Sequence, residues 1–392
     1  MHEENEIEII EKPKFRLKFI DMARSFAILL MLEGHFIEHT FKNFKPLIAQ
    51  IKETGTSGYF FFDWWYFIKG FTAPLFFTVT GVVFVYLLAR NKEAGFRRNP
   101  RIHKGFQRAF ELLLWGYLLQ LNLRYLSNTF NHEKTWFFAF HVLQSIGVGI
   151  IALLLIFGLY KLIKIGPLYA YYFFAGTLVF CFYPVLKEIP PGTYAPAGAP
   201  QIVQNMIHGP YSVFPFVPWL AFTMYGGMVG ALTIRFQGHV QKFWYPIMYV
   251  GTGILLNIFG RSIGLFLDDV LELMGLDLNL VANSWLYGRL GQVFIALGVF
   301  MLIDKLFKFK AELFLKVGQN TLSIYILHVI ILYGGIFGYG IKDIFDHNLS
   351  GWQAVLGAAL FIATFVFFIK YLDFFNNLKY RTLVFLRLKK KN

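Results

Sequence analysis

Apolar runs of about 20 residues, separated by short polar segments, recur along almost the whole chain, and this period predicts membrane-crossing helices. The runs fall near residues 19–39, 69–89, 105–124, 136–160 and 167–186, then near 211–234, 243–265, 284–306, 317–339 and 352–375. The expected fold is therefore all-α: a polytopic transmembrane bundle of about 10 spans, occupying residues 19–376. Residues 1–18 read as a polar cytoplasmic segment with no cleavable signal, and 377–392 as a basic cytoplasmic tail. Eight of the 14 prolines, from Pro184 to Pro218, cluster from the end of the fifth run to the start of the sixth. Proline fixes φ and removes a donor, so this outer stretch reads either as an ordered cap over a cavity mouth or as a plain exposed connector.

Composition sharpens the class. With 56% hydrophobic, 19% aromatic and only 15% charged residues, and a mean hydropathy of +0.52, there is too little polar surface for a water-soluble globule of this length. Of the 37 lysines and arginines, 25 fall on the side of the expected termini and ten on the other. By the positive-inside rule both termini are cytoplasmic. The net charge of +14 and pI near 9.6 thus reflect topology rather than a nucleic-acid face. One cysteine, Cys181, excludes an intrachain disulfide and a Cys-based zinc site.

Against this background, ionisable residues at membrane depth stand out as functional candidates. The first span reads FIDMARSFAILLMLEGHFIEH. Arg24 and His35 are 11 residues apart, three turns plus about 20°, so they share a face with Asp21 and His39 and are separated by roughly 16 Å. Glu33 points the opposite way. His35, with an ordinary pKa near neutrality, suits a general base, and Glu33, Glu38 or Asp63 is a candidate to orient it. His35, Glu38 and His39 also match H-x-x-E-H, but so short a match arises by chance and no metal is expected. The ninth span puts Thr321, Tyr325 and His328 on one face, as packing glue or as part of a polar interior, with Thr321 a candidate oxyanion donor. His141, Gln144, Tyr287 and Arg289 read as interface anchors or as an outer vestibule. The densest basic segment, RNKEAGFRRNPRIHKGFQR, fits phosphate contacts or a topology signal equally. No P-loop or dinucleotide fingerprint is present.

Six segments, in order, carry a resemblance: RLKFIDMARSFAILLMLEGH, FTAPLFFTVTG, HVLQSIG, GPYSVFPFVPWL, YGRLGQVFIALG and VGQNTLSIYILH. Together the chain resembles the transmembrane acyltransferase superfamily, and most nearly its heparan-α-glucosaminide N-acetyltransferase-like bacterial branch. The resemblance implies an enzyme of the bacterial inner membrane that takes an acetyl or other acyl group from cytosolic acyl-CoA and passes it to an extracytoplasmic acceptor, commonly a carbohydrate hydroxyl or amine. It implies no metal and no nucleic acid, places membrane lipid around the bundle, and leaves a homodimer open. The family's first-span Arg and His fall on Arg24 and His35. The R-x-x-R of the related O-acyltransferases falls on Arg98 and Arg101, which with Arg24 would hold the acyl-CoA. In the lysosomal branch the functional histidine lies in the first luminal loop, which makes His39 an alternative counterpart to His35. The rival class is a secondary transporter or lipid-linked sugar flippase, in which the same residues serve passage; no paired repeat or interrupted helix is evident in the sequence.

The topology gives a direct test. With Cys181 replaced, a thiol introduced at Ala197 is expected to react with a membrane-impermeant reagent in intact cells. Labelling only after lysis would reverse the orientation.

Overall fold

In the computed structural model the described residues are 17–91, 95–125, 136–188, 199–276, 280–307 and 311–372. The expectations for segment 1–16, for Pro190, Pro191, Pro196 and Ala197, and for the tail 377–392 lie outside them. Among the described residues there are helices and isolated bridges but no strands. Each of the ten expected spans coincides with a helix or a helix pair. The long elements are α1 (Lys18–Thr40), α4 (Thr72–Ala89), α5 (Pro100–Leu118), α6 (Val142–Ile163), α7 (Leu168–Glu188), α9 (Phe216–Arg235), α10 (Trp244–Glu272), α11 (Trp285–Phe307) and α15 (Gly351–Lys370). Shorter ones are α2 (Phe44–Thr54), α3 (Phe60–Lys69), α8 (Gln201–Ile207), α12 (Glu312–Gln319), α13 (Thr321–Tyr333) and α14 (Ile341–Phe345).

Seven of these, with α3 and α4 counted as one, are long and apolar enough to cross a membrane, and the bent pair α12–α13 makes an eighth. Helices α1 and α5 fall short through charge rather than length. The first carries Asp21, Arg24, Glu33 and Glu38 over 23 residues, the second Arg101, Lys104, Arg108 and Glu111 over 19. Their charged positions therefore need protein or water around them.

Helix α1 lies in the middle of the bundle, against α4, α11, α12, α13 and α15, and Ala23, Ala27, Ile28 and Leu32 are fully buried there. The closest pair is α4 with α9. Small residues allow that approach, since lipid gives helices no hydrophobic reason to associate and contact must come from close packing. A Cβ on Gly81 would collide with the Thr223 carbonyl, and one on Gly226 with the Thr78 carbonyl. Bridges between Phe41 and Leu349, Asn122 and Ile336, and Phe140 and Ser212 gather the ends of α1, α5, α6, α9, α13 and α15 at one end of the bundle. The start of α1 and the end of α15 lie at the other.

Four local expectations are corrected. Helix α5 begins five residues earlier than expected, because Asn99 caps it, its Oδ1 accepting from the Arg101 N–H at 3.0 Å, with Pro100 at the first position. Residues 60–69, expected in an outer loop, form α3, whose first turn is held by Asp63 accepting from the Ser57 N–H at 2.9 Å and the Thr56 hydroxyl at 2.5 Å. Pro184 and Pro218 lie inside α7 and α9 rather than in the connector. The ninth span is not continuous: α12 and α13 meet at 73°. At the break Gly318 presses on the backbone of α1, where a Cβ would stand 2.5 Å from Ser25 Oγ, and Ser25 Oγ donates to the Phe314 carbonyl at 2.5 Å. Asn320 Nδ2 closes the end of α12 by donating to the Lys316 carbonyl at 2.8 Å.

Gly81→Val should separate α4 from α9. The expected cost is the roughly 1–3 kcal/mol of an overpacked core, read as a lower melting midpoint of the detergent-solubilised protein than for Gly238→Val, where a Cβ meets nothing within 4 Å.

Candidate active site

A cavity of about 1120 Å³ opens among the gathered helix ends and runs down to α1 and α13. Its wall includes His35, Glu38 and His39 of α1, Lys69 and Thr72, Gln120, His141 and Gln144, Arg289, and His328 and Tyr333. The two polar stripes read separately from the sequence meet here. Arg24 Nη2 donates to Thr321 Oγ1 at 2.8 Å, and His35 Nδ1 lies 3.3 Å from His328 Nε2. One hydrogen serves that last contact, so at least one of the two imidazoles is neutral. Tyr325 packs edge-on against the His328 ring, with centroids 4.9 Å apart. Towards the mouth, the Tyr333 ring meets His35 at 5.7 Å and His39 at 4.9 Å, and His39 faces His347 at 6.3 Å. The histidines thus form a column from the cavity floor to its rim.

The acidic residues take other work. Glu38 Oε2 accepts from Lys69 Nζ at 2.7 Å. Glu33 accepts from Trp65 Nε1 at 2.8 Å on the opposite face of α1, and Asp63 accepts from Thr56 and Ser57, just before α3. None of the three touches the His35 ring, which corrects the expectation that a carboxylate orients it. Nor does Glu38 complete a metal site: among the described residues no three His, Cys, Asp or Glu side chains form a metal-holding group. Thr321, expected as an oxyanion donor, accepts from Arg24 and lies outside the cavity wall.

Arg24, Arg98 and Arg101 are not in the cavity wall either. Arg24 is half-buried in the field of Asp21 and Arg108. Arg98 is exposed and Arg101 half-exposed at the opposite end of the bundle, around the N-terminus of α5. The inner cations and the histidine column are therefore separate places in the bundle.

Two residues of the cavity wall, Lys69 and Tyr333, were not found from sequence. Lys69 sits beside Gly34 of α1, where a Cβ would stand 3.0 Å from its Cε. Tyr333 lies between the two histidines. Arg289, read as vestibule or anchor, donates to the Phe67 carbonyl at 2.9 Å and to Gln292 Oε1 at 3.0 Å, and its guanidinium lies 5.5 Å from the Phe67 ring centroid. The signals for Lys69 and Tyr333 existed, a cation and a phenol at span ends, but interface anchoring produces the same pattern.

Polar atoms left unsatisfied complete the wall. Gln144 is fully buried with neither amide atom bonded, its amide laid against Gly116, where a Cβ would stand 2.6 Å away. Thr72 Oγ1 is unbonded, and Gln120 Oε1 likewise, while Gln120 Nε2 donates to the Ala139 carbonyl at 3.0 Å.

A helical membrane protein with a histidine column on the wall of a cavity among the gathered helix ends is the class these observations define. The chain belongs to the family of the heparan-alpha-glucosaminide N-acetyltransferase catalytic region, whose pattern matches residues 16–264. That membership makes it a membrane acetyltransferase. Among curated proteins none matches the chain significantly. The matched stretch contains Arg24, His35, Glu38, His39, Lys69, Arg98, Arg101 and Gln144, and stops before Arg289, Thr321, His328 and Tyr333.

Proposed function

We propose that the protein moves an acetyl group from acyl-CoA, bound from the cytoplasmic side, to a carbohydrate acceptor that enters the cavity from outside, with His35 as general base. The observation that carries this reading is His35 on the wall of a cavity whose other wall holds unsatisfied donors and acceptors. Leaving such groups buried and unpaired costs about 1–3 kcal/mol each, and a ligand rich in hydroxyls answers both the donors and the acceptors of Gln144, Gln120 and Thr72. The acceptor's nitrogen or oxygen attacks the thioester carbonyl carbon while His35 Nε2 takes its proton. Collapse of the tetrahedral adduct breaks the C–S bond, and the CoA sulfur leaves with the proton from His35.

Arg98 and Arg101 are assigned to the CoA phosphates, with Arg24 further along the donor path. Guanidinium groups grip phosphate by paired hydrogen bonds, and the N-terminus of α5 adds a positive dipole end at the same place. Helices α1 and α5 are assigned as spans, which gives ten, with both termini cytoplasmic. The bent pair α12–α13 keeps a transport reading alive, since transporters build sites at broken helices. Release of free CoA by purified protein favours the enzyme, and flux of sugar without CoA release favours the transporter.

His35→Ala is expected to insert normally and bind acyl-CoA as before, with transfer lowered by the roughly 10²- to 10⁴-fold of a lost general base. Loss confined to His39→Ala would move the base one turn outward, and wild-type rates in both would remove α1 from the chemistry. The double variant Arg98→Ala/Arg101→Ala is expected to weaken acyl-CoA binding more than turnover. Unchanged CoA affinity would make these arginines a topology signal alone.

A further inference from the structure

The contact between His35 and His328 has a consequence for which nitrogen of His35 can work. His35 reaches His328 through Nδ1, so Nε2 is the nitrogen left for the cavity. A base must present a lone pair, and a neutral imidazole carries one hydrogen. If Nε2 is to accept a proton, the hydrogen of His35 resides on Nδ1 and is donated to His328 Nε2. His328 must then be neutral as well, with its own hydrogen on Nδ1. That atom is buried and makes no hydrogen bond among the described residues. His328 is fully buried, and α13 is held in register one end down by Arg24 on Thr321. The carboxylates Glu33, Glu38 and Asp63 do not compete for the His35 ring nitrogen, since each is bonded elsewhere.

We propose that His328 is the positioning residue of the acyl-transfer base: it fixes the Nδ1–H tautomer of His35 and turns the free Nε2 to the acceptor. The proposal rests on the reading of His35 as base. It assigns a neutral imidazole to the place that a carboxylate holds in a Ser-His-Asp triad, where the wrong tautomer alone costs about 10⁴ in turnover. In an apolar interior a neutral partner orients the base without adding a second buried charge. The proton taken from the acceptor stays on Nε2 until the departing sulfur collects it, and the Nδ1 hydrogen never leaves its bond to His328. His328 lies outside the stretch that the family pattern matches, so the assignment comes from the contact.

The test uses full-length protein in lipid bilayers, with acetyl-CoA as donor and glucosamine as probe acceptor. His328→Leu keeps the bulk and removes the acceptor atom, while His328→Gln can place Oε1 where Nε2 stood. The expected result is a kcat lowered about 10²-fold in His328→Leu, within the range for disabling a general base. KM for acetyl-CoA and the melting midpoint should stay near wild type, and His328→Gln should recover to within about tenfold. A second reading needs no turnover: nitrogen NMR of histidine-labelled protein should show His35 protonated at Nδ1 in the wild type and at Nε2 in His328→Leu. Wild-type kcat in His328→Leu, equal losses in the Leu and Gln variants, or a His35 tautomer indifferent to residue 328 would each overturn the proposal. His35→Ala in the same series separates the two ideas. If it keeps full activity, the base assignment itself fails; if it is inactive while His328→Leu is not, only the role of His328 falls.

Discussion

A helix that carries Arg24, Glu33, His35, Glu38 and His39 across an apolar medium must find a partner for every one of them, and the bundle is arranged around that requirement. Two elements, α13 and α3, meet nearly all of them. Thr321 and His328 of α13 take Arg24 and His35, Trp65 of α3 takes Glu33, Lys69 takes Glu38, and Tyr333 with His347 flanks His39. The apolar faces between them pack as in any bundle. Which helices must surround α1, and in what register, follows from the polar ones.

The break in the ninth span belongs to the same constraint. A straight helix over residues 312–333 would have to choose between laying Gly318 on the α1 backbone and bringing Thr321 and His328 against Arg24 and His35. Bending by 73° at Asn320 allows both. The exposed backbone at the bend is answered by Ser25 and Asn320 side chains, as irregular backbone at membrane depth requires.

The cavity is a composite. Its α1, α3, α5 and α6 walls lie in the stretch that matches the acetyltransferase family, whereas Arg289, His328 and Tyr333 come from later helices. A site built between the two halves of the chain is rigid only when both are in place. The ion pair Lys69–Glu38 and the stacking of Arg289 on Phe67 tie α3 to α1 and α11.

Sequence alone determined the class. Apolar runs of spanning length and too little charge for a soluble globule decide on a helical membrane protein, and the 3.6-residue period decides that Arg24, His35 and His39 share one face and Thr321, Tyr325 and His328 another. What it could not determine was that these two faces touch, because helical periodicity fixes directions within a helix and says nothing about which helix stands opposite. For the same reason Glu38 read as a partner of histidine when Lys69, 31 positions away, is the partner. The start of α5 was written in Asn99–Pro100 and was overshadowed by the charge around it. The 73° bend left no proline as a mark; it exists because Gly318, Ser25, Arg24 and His35 make demands that only the assembled helices can reconcile.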